Sequence, residues 1–267
     1  MTSLWRALHA FWRHDASEQL AHPLVVARRA LTGLTVVFLL YFGADLVDPA
    51  AVGGVPYLLF ATTGLTVGLL LVACVPALSQ RVQRYQQTGL LEACIMTRTP
   101  ITRVLFAVPA FDVFFALAHA FVGLLLAFWL VDGVAFPWAS LGNVALFLAL
   151  GALCFWAVGI TAASLTLVLA GVDPMSRVAT LACFLLGGVV VPRDRLPVLL
   201  HAIGDFLPVA PVLDGVRGAL FEGLDLSGLM EPLLRTLVLV AVWVPIGVAT
   251  ARWALYRVLR DGRLTHF

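Results

Sequence analysis

The sequence predicts an all-α membrane protein, and three observations carry that expectation. First, of its 267 residues 61% are hydrophobic and only 12% are charged, with a mean hydropathy of +1.00. A soluble domain carries about 25% charged residues. This chain holds far more apolar surface than one soluble core can bury, so lipid must solvate the remainder. Second, the apolar residues fall into six runs separated by polar connections, most of them near or above the roughly 20 residues a helix needs to cross about 30 Å of hydrocarbon. Third, the chain has no lysine, and 13 of its 17 arginines fall in the termini and alternate connections, while the other four lie around the fifth connection, balanced by acidic residues. With a net charge of +2 and no basic patch, nothing in the chain suggests a nucleic-acid partner.

Taken in order, residues 4–14 form a distinct element. Leu4, Trp5, Leu8, Phe11 and Trp12 recur at helical spacing, with Arg6, His9 and Arg13 on the opposite face. That pattern reads as an amphipathic helix in the membrane interface; a helix packed on a soluble partner is the alternative. With its linker it makes a segment 1–25, in which no cleavable signal is visible because an uninterrupted apolar stretch is lacking. A six-span bundle over 26–267 follows. The expected spans are 26–46, 56–78, 104–131, 140–170, 176–192 and 233–256. The first is interrupted by Arg28 and Arg29, which can snorkel to the interface, and the first and fifth need flanking residues to cross. Gly64-Leu-Thr-Val-Gly68 in the second permits close helix approach, within the protomer or across a dimer. Pro109 and Pro245 are expected to kink the third and sixth spans.

The connection 193–224 is not a simple loop. Leu196, Leu199, Leu200, Ile203 and Leu207 make one apolar stripe, Pro208 and Pro211 interrupt it, and Val212, Leu213, Val216 and Leu220 begin another. Two short helices that dip into the membrane and return fit this pattern, provided protein or water covers their backbone ends. A pair lying on the surface is the rival.

Arginine placement sets the orientation. Arg6, Arg13, Arg28 and Arg29, then Arg81, Arg84, Arg98 and Arg103, then Arg177, and finally Arg252, Arg257, Arg260 and Arg263 all share one side of a six-span chain. The connections around 47–55 and 132–139 hold no arginine. Both termini are therefore expected in the cytoplasm. Inside the third span, Asp112 and His119 stand seven residues apart on roughly one helix face. If that span begins near 104, Asp112 lies about 13 Å along it. A carboxylate there must be paired, protonated or facing water. A substrate or proton pathway is one reading, an interhelical bond that fixes packing the other. Cys74, Cys94, Cys154 and Cys183 form no C-x-x-C pair and read as small buried apolar residues, not as a metal site or disulfide framework. A phosphate-binding loop requires a lysine, and the chain has none. It cannot hydrolyse ATP through such a loop, so its energy source is another polypeptide or an ion gradient.

Two stretches resemble a known family. Gly89-Leu-Leu-Glu92 followed by Thr99-Pro100 is similar to the E-x-G-T-L-E … T-P segment of ABC-2 type transporter permeases, with Leu90 in place of threonine and Gln86 or Gln87 where the family often has an acid. Gly188-x-x-x-Pro192, Leu196-Pro197, Pro208 and Asp214-x-x-Arg217 resemble that family's signature after span five. Among its members the chain looks most similar to drug and lipo-oligosaccharide exporters. The resemblance implies a transmembrane subunit of an ATP-binding cassette exporter in the bacterial cytoplasmic membrane, working as a homodimer. It also implies a separate ATPase subunit, which holds ATP and Mg, while this chain binds no cofactor. By the same resemblance, residues 79–103 are the cytoplasmic coupling segment, with Arg81, Arg84, Gly89, Glu92, Thr99 and Pro100 as candidate ATPase contacts. A carboxylate such as Glu92 can form charge-assisted bonds to partner arginines. Few charges are available for a strongly ionic solute, so an amphiphilic cargo is expected. The rival readings are a proton-coupled secondary transporter using Asp112 and His119, and a non-transporting scaffold. Asp214-Gly215 also begins like the motif of membrane CDP-alcohol phosphotransferases, but the further aspartates of their two-metal cluster are absent.

Overall fold

A computed structural model of the chain describes residue 13 and residues 23–44, 54–87, 110–131, 134, 136–169, 174–189, 192–193 and 197–261. The described elements are helices: α1 Pro23–Ala44, α2 Tyr57–Cys74, α3 Pro76–Gln87, α4 Ala110–Leu130, α5 Leu141–Val168, α6 Pro174–Leu186, α7 Val198–Asp205, α8 Val209–Phe221 and α9 Met230–Asp261, with a 3-10 turn at Trp138–Ser140 before α5. No strand occurs among the described residues. The amphipathic helix expected at 4–14 lies outside them, apart from Arg13.

In hydrocarbon every backbone polar group must be satisfied inside the chain, which leaves helix as the solution for each long apolar run. The hydroxyls within these runs follow the same rule. Thr62 donates to the Leu58 carbonyl at 2.7 Å, Thr66 to Thr62 at 2.9 Å, Ser164 to Ile160 at 2.6 Å and Thr166 to Ala162 at 3.0 Å. Bonded back to the preceding turn, such residues sit in an apolar helix at little cost.

Among the described residues, four stretches are long and apolar enough to cross a bilayer: Tyr57–Gln87, Ala110–Leu130, Trp138–Val168 and Met230–Val258. A fifth is reached if α7 and α8, bent by 85°, are one broken span. The first expected span falls on α1, a helix of 22 residues. The fifth is shorter than expected. α6 has 13 residues, about 20 Å at 1.5 Å per residue, and it stops at Leu186 rather than reaching 192. The stop is local chemistry. Gly187 N–H still bonds the Cys183 carbonyl at 3.0 Å, but Gly188 has φ +80°, a region that side chains with a Cβ avoid and that ends helices. Pro245 lies inside α9, which continues through it; Pro109 is outside the described residues.

The helices run alternately between two ends of a bundle, with α5 in the middle against α2, α3, α8 and α9. Three apolar layers stack along it. At one end Leu58 and Leu59 of α2 meet Ala127 and Phe128 of α4, with Leu40 of α1 against them. The middle layer centres on Phe147 and Phe155 of α5, with Val67, Leu71, Val212 and Leu213. At the other end Leu78, Val82 and Tyr85 of α3 meet Ile160, Ala163 and Leu167 of α5 and Ala251 and Val258 of α9. Lipid tails are as apolar as these side chains, so close packing rather than the hydrophobic effect holds helix to helix. The Gly64/Gly68 pair illustrates this. A Cβ on Gly64 would overlap the Val189 carbonyl, and one on Gly68 would come within 2.7 Å of the Phe184 ring. The motif expected to serve a helix contact thus packs inside the protomer, against the end of α6.

Candidate functional site

Two polar constellations interrupt the apolar bundle, one near each end. The first joins α3 to α4. Arg81 extends from α3, the short helix that continues α2 after Pro76. Its Nη2 lies 2.7 Å from Oδ2 of Asp112, and the two side chains are only 14% and 8% exposed. The family resemblance made Arg81 a candidate ATPase contact, and the sequence left Asp112 between a substrate or proton pathway and an interhelical bond; the fold places the two residues together. Pairing is the solution for the Asp112 carboxylate, in the first turn of described α4. His119 does not join the pair. It stacks on Phe115, with ring centroids 6.0 Å apart. Arg84, in the last turn of α3, is exposed. Gly89, Glu92, Thr99 and Pro100 lie outside the described residues.

The second constellation surrounds the α7–α8 hairpin. Pro197 immediately precedes α7 and Pro208 immediately precedes α8, positions where a missing N–H and a fixed φ cost a helix nothing. Asp214 and Arg217, three residues apart on α8, face different partners. The Arg217 guanidinium reaches inward: Nη1 donates to the Gly188 carbonyl at 2.9 Å and Nη2 to the Phe60 carbonyl at 3.1 Å and the Val189 carbonyl at 3.4 Å. Nε donates to Thr63 Oγ1 at 3.4 Å. The same guanidinium lies 3.6 Å from the Phe60 ring centroid, a cation–π contact. Arg217 therefore covers the carbonyls that α6 leaves open where Gly188 ends it, and ties them to α2.

Arg193, one residue after Pro192, makes the outer half. Its Nη2 donates to both carboxylate oxygens of Asp214, and its Nη1 to Asp205 Oδ1 at 2.9 Å. His201 Nδ1 lies 3.3 Å from the other Asp205 oxygen. The positions the sequence singled out, Gly188, Pro192, Pro197, Pro208, Asp214 and Arg217, thus fall in one compact region. Arg193, Asp205, Phe60 and Thr63 belong to it as well and were missed. Their partners are 12 to 157 residues away in the chain, a spacing no helical period announces. Both arginines are already bonded to protein, so this node is a joint and not an open anion site. Among the described residues, no group of three or more His, Cys, Asp or Glu side chains is placed to hold a metal ion.

Kinship is decided by a direct match: the sequence model of the ABC-2 type transporter family covers residues 1–221. The chain belongs to the ABC-2 type transporter family. The match takes in α1 to α8, and α9 lies beyond it. No curated protein matches the chain. This ABC-2 protein is accordingly an integral membrane component of a transporter, and its family implies an ABC ATPase as partner.

Proposed function

We propose that this chain is the permease subunit of an ATP-binding cassette exporter. In this reading two copies form one pathway, and separate ATPase subunits, which hold ATP and Mg, dock on the face that carries α3 and residues 88–109. Closure of the ATPases pushes on that segment, and the bundle switches access from one side of the membrane to the other. An amphiphilic cargo such as a drug, a lipid or a lipid-linked saccharide suits a bundle whose charged groups are occupied with each other. Both termini inside is the orientation that the arginine distribution supports, and a bacterial cytoplasmic membrane is the setting that the family resemblance implies.

The observation that carries the proposal is the family match across α1 to α8, joined to the placement of α3. That helix is amphipathic, packs its apolar side on α5 and α9, and leads directly into the segment that resembles the family's coupling region. The deciding experiment is affinity purification of the tagged chain from its native membrane, followed by reconstitution. Co-purification of an ATPase and nucleotide-dependent transport are expected. A purified chain that moves solute alone on a proton gradient would overturn the proposal in favour of a secondary transporter.

A further inference from the structure

We infer that the Arg81–Asp112 ion pair is a clamp across the base of the coupling segment, which makes α3 and α4 move together when the ATPase acts on residues 88–109. The inference rests on the permease reading above and names the residues through which that reading works.

Consider what the pair joins. Residues 88–109 connect α3 to α4 in the chain. Arg81, midway along α3, and Asp112, in the first turn of α4, join the two flanking helices with a 2.7 Å contact between side chains that are 14% and 8% exposed. The two legs differ in how they are held. α3 is fixed by Leu78, Val82 and Tyr85 against α5 and α9. α4 is held mainly along one side: Val113, Ala116, Ala120 and Leu124 are buried, while Phe114, Phe121, Val122 and Trp129 are exposed. A helix with one face open to lipid can tilt without breaking a core. It is also stiff enough that a displacement at Asp112 reaches Trp129, about 25 Å away at 1.5 Å per residue. Without a link between these two helices, a push on the segment that connects them could bend α3 or α4 singly. With it, load entering on either leg is shared.

A stability role explains the pair poorly. Removing two charges from water costs about as much as their attraction returns, and apolar replacements of buried pairs are often neutral or stabilising. The best-attested use of such a pair is to fix one arrangement of elements against its alternatives. Arg81 is thus a positioning residue of the coupling segment. Its guanidinium meets the Asp112 carboxylate at 2.7 Å.

The test uses the whole complex, the chain with its co-purified ATPase in lipid nanodiscs. Spin labels replace Trp129 and Leu234, exposed positions 79% and 54% accessible near the far ends of α4 and α9, in a background freed of native cysteines. ATP with vanadate is added, and interlabel distances are compared at equal amounts of trapped nucleotide. In the wild type trapping shifts the distance. Arg81→Ala and Asp112→Ala should each reduce that shift by about half or more, and the exchanged pair Arg81→Asp/Asp112→Arg should restore it, the signature of direct coupling in a double-mutant cycle. Single variants that shift as far as wild type, or an exchange that restores nothing, would overturn the clamp. Should the alanine variants fail to assemble, Arg81→Lys and Asp112→Glu keep both charges and alter the reach. They should give intermediate shifts, and full wild-type shifts in both would also overturn it. A wild-type chain that recruits no ATPase defeats the permease reading itself, and the clamp falls with it.

Discussion

Arg217 shows how one side chain can decide a local fold. A helix that ends within an apolar environment leaves carbonyls without partners, and each uncovered group costs several kcal/mol in hydrocarbon. Arg217 donates to the Gly188, Val189 and Phe60 carbonyls at once, and it lies over the Phe60 ring. A planar fork with five donors makes this possible; an ammonium on a flexible stem offers three donors and no plane to stack. Arg217→Ala should therefore destabilise the folded protein by about 3 kcal/mol or more, from lost charged hydrogen bonds and the void left behind. Arg217→Lys should recover only part. Thermal unfolding in detergent, followed by helix content, measures both. A Lys variant as stable as wild type would remove the argument from geometry.

At the scale of elements, the hairpin has two unequal halves. α8 is built into the bundle: Val209, Val212, Leu213, Val216 and Ala219 are fully buried or nearly so, and Arg217 bolts it to α2 and α6. α7 is eight residues long, and its Val198, Leu199 and Ile203 are exposed, with Phe206 just beyond its end exposed too. Its polar tie is Arg193 with Asp205, where the carboxylate side chain is 38% exposed. Exposed ion pairs contribute only about 0.2–1 kcal/mol, so α7 should open locally well before α8 does. Hydrogen–deuterium exchange should show residues 198–205 exchanging faster than 209–221. Arg193→Ala should speed the first segment further, with a smaller effect on the second through the lost Asp214 bond. Equal protection of both halves would mean that the hairpin opens as one unit.

At the scale of the molecule, the alternating helices put α3 and the 3-10 turn before α5 at opposite ends of the bundle. A thiol-reactive, membrane-impermeant reagent tests this in intact cells. Cys74, Cys154 and Cys183 are buried and should stay silent, so only Cys94 needs prior replacement. Trp138→Cys, at a position 63% exposed, should label from outside, and Arg84→Cys only after permeabilisation. Labelling of both from one side would contradict the alternation and, with it, the docking face proposed for the ATPase.

Legibility varied with the range of the forces involved. Composition alone placed the chain in lipid, since no folding pattern can hide this much apolar surface from water. Period and length located the long helices, because backbone hydrogen bonding in hydrocarbon is a local requirement that each run meets within itself. The proline and glycine punctuation placed the hairpin for the same reason: Gly188, Pro197 and Pro208 act through their own backbone. Partnership was a different matter. Nothing in the sequence says that Arg81 faces Asp112, that Arg193 bridges Asp205 and Asp214, or that Gly64 is reserved for the Val189 carbonyl. Those contacts are set by how helices distant in the chain cross one another, and a side chain's choice of partner is fixed only when the crossing is. Local chemistry determined which segments are helices and where they stop; tertiary packing decided which charges neutralise each other.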